Sequence, residues 1–317
     1  MEKTTKNKNT EIVFFGSDPF SVPVFKKLIK KYNVKALVCE SDKPSGRNQK
    51  ITAPPTKKIA ENNNIPIFQP QSVKKDNIFF EKIKALNCDL FIVAAFGQII
   101  PLNILNLPLH GSLNIHPSLL PKYRGASPIR QTLLNGDKKT GITIILMDQG
   151  MDTGDIVAQE VTTVKKNDNY ITLSKKLADQ SAEFCIRIIP GYLNGEFTLL
   201  TQDDNQATYT KKIKKNDGLI NWKQSAKDIK NQLKAFIDWP GTYTKFKQKK
   251  LDLITAKVSD FDKNIKTGQV FKCKNNIFVQ CGQGSLKLET VKLEGKKVTD
   301  IKNFINGHQD FIGSVLG

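Results

Sequence analysis

Residues 112–121 read SLNIHPSLLP and place two polar side chains at the end of an apolar strand. Alternate side chains of an extended backbone point to the same side, so Asn114 and His116 converge just before a proline-bounded loop. An amide and an imidazole supply the N–H donors that a carbonyl needs when its oxygen becomes negative. This strand end is therefore the first candidate active site.

The segments before this strand alternate between strand and helix patterns. Residues 12–15, 34–38 and 89–96 have the apolar composition of buried strands, whereas 21–31 and 76–86 carry apolar side chains at helical spacing. This rhythm predicts an α/β fold, with a Rossmann-like, doubly wound and mostly parallel sheet. In such sheets the functional site lies at the carboxyl ends of the strands.

The segments after the motif complete the predicted catalytic domain. We expect strands at 141–147 and 155–161, and then a long helix over 169–189 that Pro190 would end. Residues 1–193 are accordingly predicted to form the catalytic domain.

The C-terminal part has a different pattern. Residues 194–210 are polar and are predicted to be a linker with little to bury. A predicted helix over 225–237 begins with a serine and an aspartate spaced like a capping box, and five short strand-like segments with glycine-bearing turns follow. Residues 211–317 are therefore predicted to form a small C-terminal β-barrel domain, OB-like in character.

The charge of the chain is strongly basic. The formal net charge is +19, 45 of the 49 basic residues are lysine, and residues 207–317 hold 22 lysines against 10 acidic residues. Such a surplus suits a polyanionic partner. A genome-wide bias towards lysine would produce it too, so charge alone leaves nucleic-acid binding open.

Composition argues against several other classes of protein. No apolar run approaches the ~20 residues of a membrane span, and no apolar segment follows the lysine-rich N-terminus as in a signal peptide. We therefore expect a cytoplasmic protein with no membrane partner. The five cysteines are widely spaced without a Cys-x-x-Cys pair, so reduced thiols are expected, with no disulfide framework and no metal site.

The turn after the first predicted strand lacks a nucleotide-binding fingerprint. Residues 16–20 read GSDPF, where a dinucleotide site would need Gly-x-Gly-x-x-Gly, and the chain contains no P-loop sequence. NAD and FAD are therefore disfavoured despite the Rossmann-like rhythm.

A second polar cluster lies on the turn between the two later strands. Residues 148–155 read DQGMDTGD, and three aspartates are more than a turn needs for local hydrogen bonds. Asp152 is the candidate partner of His116, and because it lies 36 residues after His116 any contact must be tertiary. A lone histidine is more often structural than catalytic. The neighbouring Asn114 and the acidic loop shift the balance towards catalysis.

Six stretches together resemble the folate-dependent formyltransferase superfamily, and in particular its members that act on charged initiator tRNA. They read FGSDPF at 15–20, DKPSGR at 42–47, NIHPSLLP at 114–121, YRGASPI at 123–129, MDTGD at 151–155 and DGLINW at 217–222. The resemblance covers nearly the whole chain. Pro117 is a departure, since many such members have glycine there, but the neighbouring Ser-Leu-Leu-Pro is intact.

The resemblance implies transfer of a formyl group from 10-formyltetrahydrofolate to the methionyl amine of initiator tRNA. Asn114 and His116 would donate hydrogen bonds to the tetrahedral oxyanion. Asp152 would orient or pair with His116 and accept the amine proton through water. The chemistry requires neither a covalent intermediate nor a metal.

The resemblance also assigns a folate-binding loop. Its residues would be Ser118, Leu119, Leu120 and Pro121, with the leucines against the flat pteridine. Taken by itself, this segment is better explained as a plain hydrophobic loop.

The segment 42–58 is basic and contains proline and glycine, a composition typical of a solvated flexible loop. The resemblance implies instead that it enters the tRNA acceptor end. Arg47 would be the main contact because its planar fork suits phosphate and base edges, with Lys43 and Lys50 beside it. The C-terminal domain would contact the tRNA backbone. The protein is expected to be a monomer.

Three alternatives stay open at this point. A sugar-nucleotide formyltransferase would have the same catalytic core, but the segment 42–58 and the C-terminal charge argue against it. A formyltetrahydrofolate hydrolase would be expected to have an N-terminal regulatory module, and none is visible in the sequence. A basic nucleic-acid-binding protein that has lost catalysis is disfavoured by the intact Asn114, His116 and Asp152.

Overall fold

A computed structural model describes residues 9–45 and 49–317. The strands are β1 (Glu11–Phe15), β2 (Asn33–Val38), β3 (Lys43–Ser45), β4 (Lys50–Thr52), β5 (Ile67–Phe68), β6 (Leu90–Val93), β7 (Ser112–His116), β8 (Arg124–Gly125), β9 (Lys139–Leu146), β10 (Ile156–Thr163), β11 (Tyr209–Thr210), β12 (Tyr243–Phe246), β13 (Lys249–Ser259), β14 (Val270–Cys273), β15 (Asn276–Gln280), β16 (Ser285–Leu293) and β17 (Thr299–Asp300). The helices are α1 (Val22–Lys31), α2 (Pro55–Asn62), α3 (Asn77–Lys84), α4 (Leu102–Leu105), α5 (Pro128–Asn135), α6 (Tyr170–Leu193), α7 (Ala226–Ala235) and α8 (Ile301–Asn306).

The chain divides into two structural units. The first contains the described residues up to Pro128 together with Lys139–Thr163 and Ser174–Thr210, and the second contains Ile129–Lys138, Val164–Leu173 and Lys211–Gly317. Segments 129–138 and 164–173, which precede the predicted C-terminal domain in sequence, thus belong to the second unit.

The first unit is built on a mostly parallel sheet. Its strand order within the described residues is β10-β9-β7-β6-β1-β2-β5, and β9 runs antiparallel to both of its neighbours. The chain starts at the central β1, builds outward to β5, and then returns to β6 on the other side. This doubly wound order confirms the predicted Rossmann-like fold.

Both faces of the central strands are covered by helices. On one face, Val13 and Phe15 of β1 belong to a buried cluster that includes Phe79 of α3. On the other face, Phe14 stacks on Phe25 of α1 with ring centroids 4.9 Å apart. Parallel strands that are buried on both sides have continuous apolar sequences, which is the pattern of β1 and β6.

The second unit contains an antiparallel sheet of order β12-β13-β16-β15-β14, with β17 paired to β16. Its strands curl into a half-barrel, which confirms the prediction of a small OB-like C-terminal barrel. The core between this sheet and α7 and α8 includes Trp222, Ile229 and Phe304. The Ser225 hydroxyl accepts the Asp228 N–H at 3.1 Å, so the predicted cap begins α7.

One sequence expectation is wrong. Pro190 does not end the long helix, because α6 continues to Leu193. The buried Ile188 and Ile189 favour continuation despite the hydrogen bond that proline cannot donate. Within the segment 194–210, which is predicted to be a linker, most residues are exposed, but Gln202 is only 7% exposed and β11 pairs with β8.

The thiols fall into two groups. Burial raises the pKa to about 12 for Cys39, Cys88, Cys185 and Cys281, whereas Cys273 is partly exposed. Among the helices of residues 9–45 and 49–317, none has the length and apolarity of a membrane span.

Candidate active site

Strand β7 carries the two polar side chains of the opening motif, and the acidic turn between β9 and β10 brings Asp152 to them. Asn114 Nδ2 donates to Asp152 Oδ1 at 3.0 Å. His116 Nδ1 lies 3.5 Å from Asp152 Oδ2. Because β9 runs antiparallel to β7, with Leu146 opposite Leu113, the turn after β9 has to fold back along β7 to bring Asp152 to these side chains. The structure thus brings together the three residues that the sequence singled out, here called the triad.

The hydrogen bond of His116 Nε2 determines whether Nδ1 can accept a proton. Nε2 lies 3.0 Å from the carbonyl oxygen of Tyr123, and a carbonyl can only accept, so Nε2 carries a proton. In the neutral ring Nδ1 then has a lone pair and can take up a proton. His116 can donate from Nδ1 only as an imidazolium, which the Asp152 carboxylate would stabilise.

Asp152 is held by several bonds at once. Its backbone φ is +57°, in the left-handed region that costs a residue other than glycine of order 1–3 kcal/mol. The Gly125 N–H donates to Oδ2 at 2.8 Å. Gln202 Nε2 donates to the carbonyl oxygens of Asp152 at 2.9 Å and Gly154 at 2.7 Å. These contacts fix the carboxylate in spite of the unfavourable backbone.

The predicted folate loop is anchored to its own sheet. The Ser118 side chain is buried and donates to the Lys122 carbonyl at 2.6 Å. The Thr143 hydroxyl of β9 donates to the Ser118 carbonyl at 2.7 Å and accepts the Leu120 N–H at 3.1 Å. Gln159 of β10 donates to the Leu120 carbonyl at 2.7 Å. Ser118 and Leu120 therefore fix the loop, whereas Leu119 and Pro121 are half-buried.

Of the predicted tRNA-contacting residues, Lys43 and Lys50 lie on β3 and β4, which pair as an antiparallel hairpin, whereas Arg47 lies outside the described residues. Lys50 is exposed, and Lys43 pairs with Glu40 at 2.7 Å rather than with the triad. Asp42 accepts from Gln69 and Lys57, each at 2.9 Å, and these hydrogen bonds hold its pKa below the ordinary value. The base of the hairpin is therefore fixed by paired charges.

Sequence reasoning missed four residues that hold the triad in place. Tyr123 and Gly125 act through backbone atoms, which have no residue-specific signature. Arg124 and Gln202 are polar residues that only the tertiary structure buries. A signal was available for the first three, since they lie in one of the stretches that resembles the superfamily.

An amide, an imidazole and a carboxylate at the carboxyl end of a doubly wound sheet define a group-transfer enzyme that acts on a carbonyl carbon. Among the described residues, no group of three or more His, Cys, Asp or Glu side chains could hold a metal ion.

Comparison with protein families identifies the group that is transferred. The formyl transferase model matches residues 10–189, and the model of the formyl transferase C-terminal domain matches residues 212–309. The chain therefore belongs to the formyl transferase family.

Curated relatives extend over nearly the whole chain. The methionyl-tRNA formyltransferase of Caldanaerobacter subterraneus subsp. tengcongensis is 38% identical over 96% of this chain and 99% of its own length. The methionyl-tRNA formyltransferase of Geobacter metallireducens is 41% identical over 93% of this chain and 95% of its own.

Solved structures share the fold at lower identity. WlaRD, a sugar 3N-formyl transferase crystallised with dTDP and 5-N-formyl-THF, gives a TM-score of 0.65 at 22% identity, over 91% of this chain and 99% of that one. HypX from Aquifex aeolicus in complex with tetrahydrofolic acid gives 0.59 at 15% identity, over 95% of this chain and 48% of that one.

Proposed function

We propose that this protein transfers the formyl group of 10-formyltetrahydrofolate to the amino group of methionine on initiator methionyl-tRNA. The triad carries the proposal, because its three side chains suit attack of an amine on a formyl carbon. Relatives named methionyl-tRNA formyltransferase, at 35–41% identity, support the choice of acceptor.

The geometry supports a direct transfer. The Asn114 amide has two N–H groups, so one can remain on Asp152 while the other stabilises the oxyanion. His116 Nδ1 takes the proton that the attacking amine loses, and Asp152 stabilises the resulting imidazolium. The same proton then passes to the folate N10 as the C–N10 bond breaks. The products are the formylated amine and tetrahydrofolate, so the protons balance.

The tRNA contacts are proposed from charge. Residues 207–317 hold 22 lysines against 10 acidic residues, which suits sequence-independent contacts with a phosphate backbone. Lys43, Arg47 and Lys50 are proposed to contact the acceptor end. The domain bounds predicted from the sequence, 1–193 and 211–317, stay a prediction.

The test is a formylation assay with the purified full-length protein and 10-formyltetrahydrofolate. Initiator methionyl-tRNA, elongator methionyl-tRNA and an amino-sugar nucleotide are offered in parallel as acceptors. We expect formyl-methionine on the initiator tRNA. Failure to formylate that tRNA, or preference for the amino sugar, would overturn the proposal.

A variant separates catalysis from binding. Asn114→Ala removes one oxyanion donor, and we expect turnover to fall by about 10²–10³-fold while the tRNA Kd stays unchanged. An equal loss of tRNA affinity would show instead that Asn114 serves in binding.

A further inference from the structure

We propose that Arg124 and Gln202 are positioning residues, which hold Asp152 in the geometry that the reaction needs. The inference rests on the proposed function, because formyl transfer is the activity through which it is tested. Neither residue touches the reacting atoms, and each acts through Asp152.

Arg124 is a buried cation, and each of its three side-chain nitrogens has a hydrogen-bond partner. Its side chain is 1% exposed. Nε donates to Gln202 Oε1 at 3.0 Å, one terminal nitrogen donates to the Tyr209 hydroxyl at 3.1 Å, and the other donates to Asp204 Oδ1 at 2.8 Å. A buried guanidinium is costly unless its donors are satisfied, and here the partners come from a segment that starts 78 residues away.

The ion pair with Asp204 does not explain why this charge is buried. The Asp204 side chain is 82% exposed, so water solvates its carboxylate and the pair stabilises the fold little. The planar fork of arginine instead fixes the directions of three hydrogen bonds at once. The most buried of these partners is Gln202.

Arg124 determines which end of the Gln202 amide faces the acidic turn. Because Nε–H occupies Oε1, the NH₂ group of Gln202 points to the carbonyl oxygens of Asp152 and Gly154. Those carbonyls accept only, so a flipped amide would place oxygen against oxygen. Arg124 thereby fixes the amide, and the amide fixes the left-handed backbone of Asp152.

The residues on either side of Arg124 hold the triad directly. The Tyr123 carbonyl accepts from His116 Nε2, and the Gly125 N–H donates to Asp152 Oδ2. The Arg124 N–H itself donates to the Thr208 carbonyl at 2.8 Å. A displaced Arg124 would therefore move the partners of both His116 and Asp152, together with the amide of Gln202.

The first test compares two glutamines that make similar bonds. Gln202→Met removes the bonds to the acidic turn and leaves a side chain of similar length. Gln98→Met is the matched control, since Gln98 donates to the Pro70 carbonyl at 3.1 Å and accepts the Val73 N–H at 3.0 Å without a role in the triad. We expect Gln202→Met to lower kcat by about 10-fold to 10²-fold with the KM of both substrates nearly unchanged, because small misplacements of reacting groups have effects of this size. Gln98→Met should keep the wild-type kcat.

A double-mutant cycle separates positioning from a general structural role. If Gln202 acts through Asp152, then Gln202→Met should lower the residual rate of Asp152→Ala by less than about 2-fold. A loss of the same size in both backgrounds would show a structural role and overturn the inference. Arg124→Lys keeps the charge but cannot direct three hydrogen bonds at once, so it should reproduce the kcat loss of Gln202→Met. It replaces Gln202→Met in the test if that variant does not fold.

The outcomes also separate this inference from the proposed function. A wild-type protein that does not formylate initiator methionyl-tRNA would refute the function. An active wild type whose Gln202→Met and Arg124→Lys variants keep kcat within about 2-fold would refute the positioning role alone.

Discussion

Replacement of Asp152 by asparagine should abolish most of the activity while leaving the fold intact. The carboxylate accepts the Asn114 amide on one oxygen and the Gly125 N–H on the other. An asparagine keeps the shape but offers one acceptor and one NH₂ donor. The backbone N–H of Gly125 cannot turn away, so the asparagine oxygen stays on it and the NH₂ group faces the Asn114 NH₂ group.

Two donors cannot share a hydrogen bond, so Asn114 must rotate and present its oxygen instead. This moves both of its N–H groups away from the oxyanion, a loss that costs about 10²–10³-fold in turnover. The charge opposite His116 is lost as well. At the 3.5 Å separation, a carboxylate and an imidazolium attract by about 5 kcal/mol at an effective dielectric constant of about 20. The two losses affect one step and are not additive, so we expect kcat to fall by about 10³–10⁴-fold.

Steady-state formylation kinetics measure this loss, with the tRNA Kd and the Tm determined on the same protein. We expect an unchanged Kd and a loss of stability of about 2 kcal/mol, since the two charge-assisted hydrogen bonds that the carboxylate accepts become neutral. Asp148→Asn makes the same chemical change on the same turn, where the carboxylate accepts from Thr153 and Gly150, and it should keep nearly full activity. A variant Asp152→Asn with kcat within about 10-fold of wild type would refute this account of the site.

Four further predictions concern the predicted folate loop, the sheet and the thiols. Gln159→Leu removes the hydrogen bond to the Leu120 carbonyl, so the KM for 10-formyltetrahydrofolate should rise by about 5-fold in steady-state assays, and an unchanged KM would contradict the anchoring role. Gly141→Ala places a Cβ against the Glu160 carbonyl, and urea denaturation should show that the free energy of unfolding falls by roughly 2 kcal/mol or more. A wild-type midpoint would show that β9 shifts to make room for the Cβ without a loss of stability. At about pH 8 a thiol reagent should react rapidly with Cys273 alone and with all five cysteines after unfolding, and a second fast thiol would be inconsistent with the burial. Because the folded state keeps the four buried thiols protonated, the free energy of unfolding should fall as pH rises from 9.0 towards about 12, as pH-dependent denaturation would measure.

Apolar periodicity predicted the parts of the fold that depend on burial. The last of the five strand-like segments predicted for the C-terminal part, at residues 285–293, is observed as Ser285–Leu293, because Leu286, Leu288, Val291 and Leu293 enter the core of the second unit. The predicted helix over 21–31 is observed as Val22–Lys31, with Val24 and Leu28 on its buried face. In each case the spacing of the apolar residues indicates which face of the strand or helix is packed, and this spacing can be read from a short stretch of sequence.

The sequence gives no comparable indication of which polar residues are buried. Gln202 lies in a polar segment that was predicted to be a linker, yet it is buried because Arg124 and two backbone carbonyls satisfy its amide. The sequence does not distinguish a buried, hydrogen-bonded glutamine from a glutamine that is exposed to water. For this reason the triad residues could be predicted from their types and spacing, whereas Gln202 could not, and residues 123–125 had only the signal of the stretch that resembles the superfamily.

The tautomer of His116 is a second property that depends on tertiary contacts and not on the local sequence. Its position on β7 follows from the alternation of the strand, but the nitrogen that carries the proton is set by the Tyr123 carbonyl. That carbonyl is in place because the Tyr123 N–H donates to the Thr208 hydroxyl at 2.8 Å, across 85 residues of chain. The segment that follows α6 thus selects the tautomer of a residue on β7. In the proposed mechanism, this tautomer determines whether Nδ1 presents a lone pair or a proton to the amine. The chemistry of the motif therefore depends on a contact that the motif does not contain.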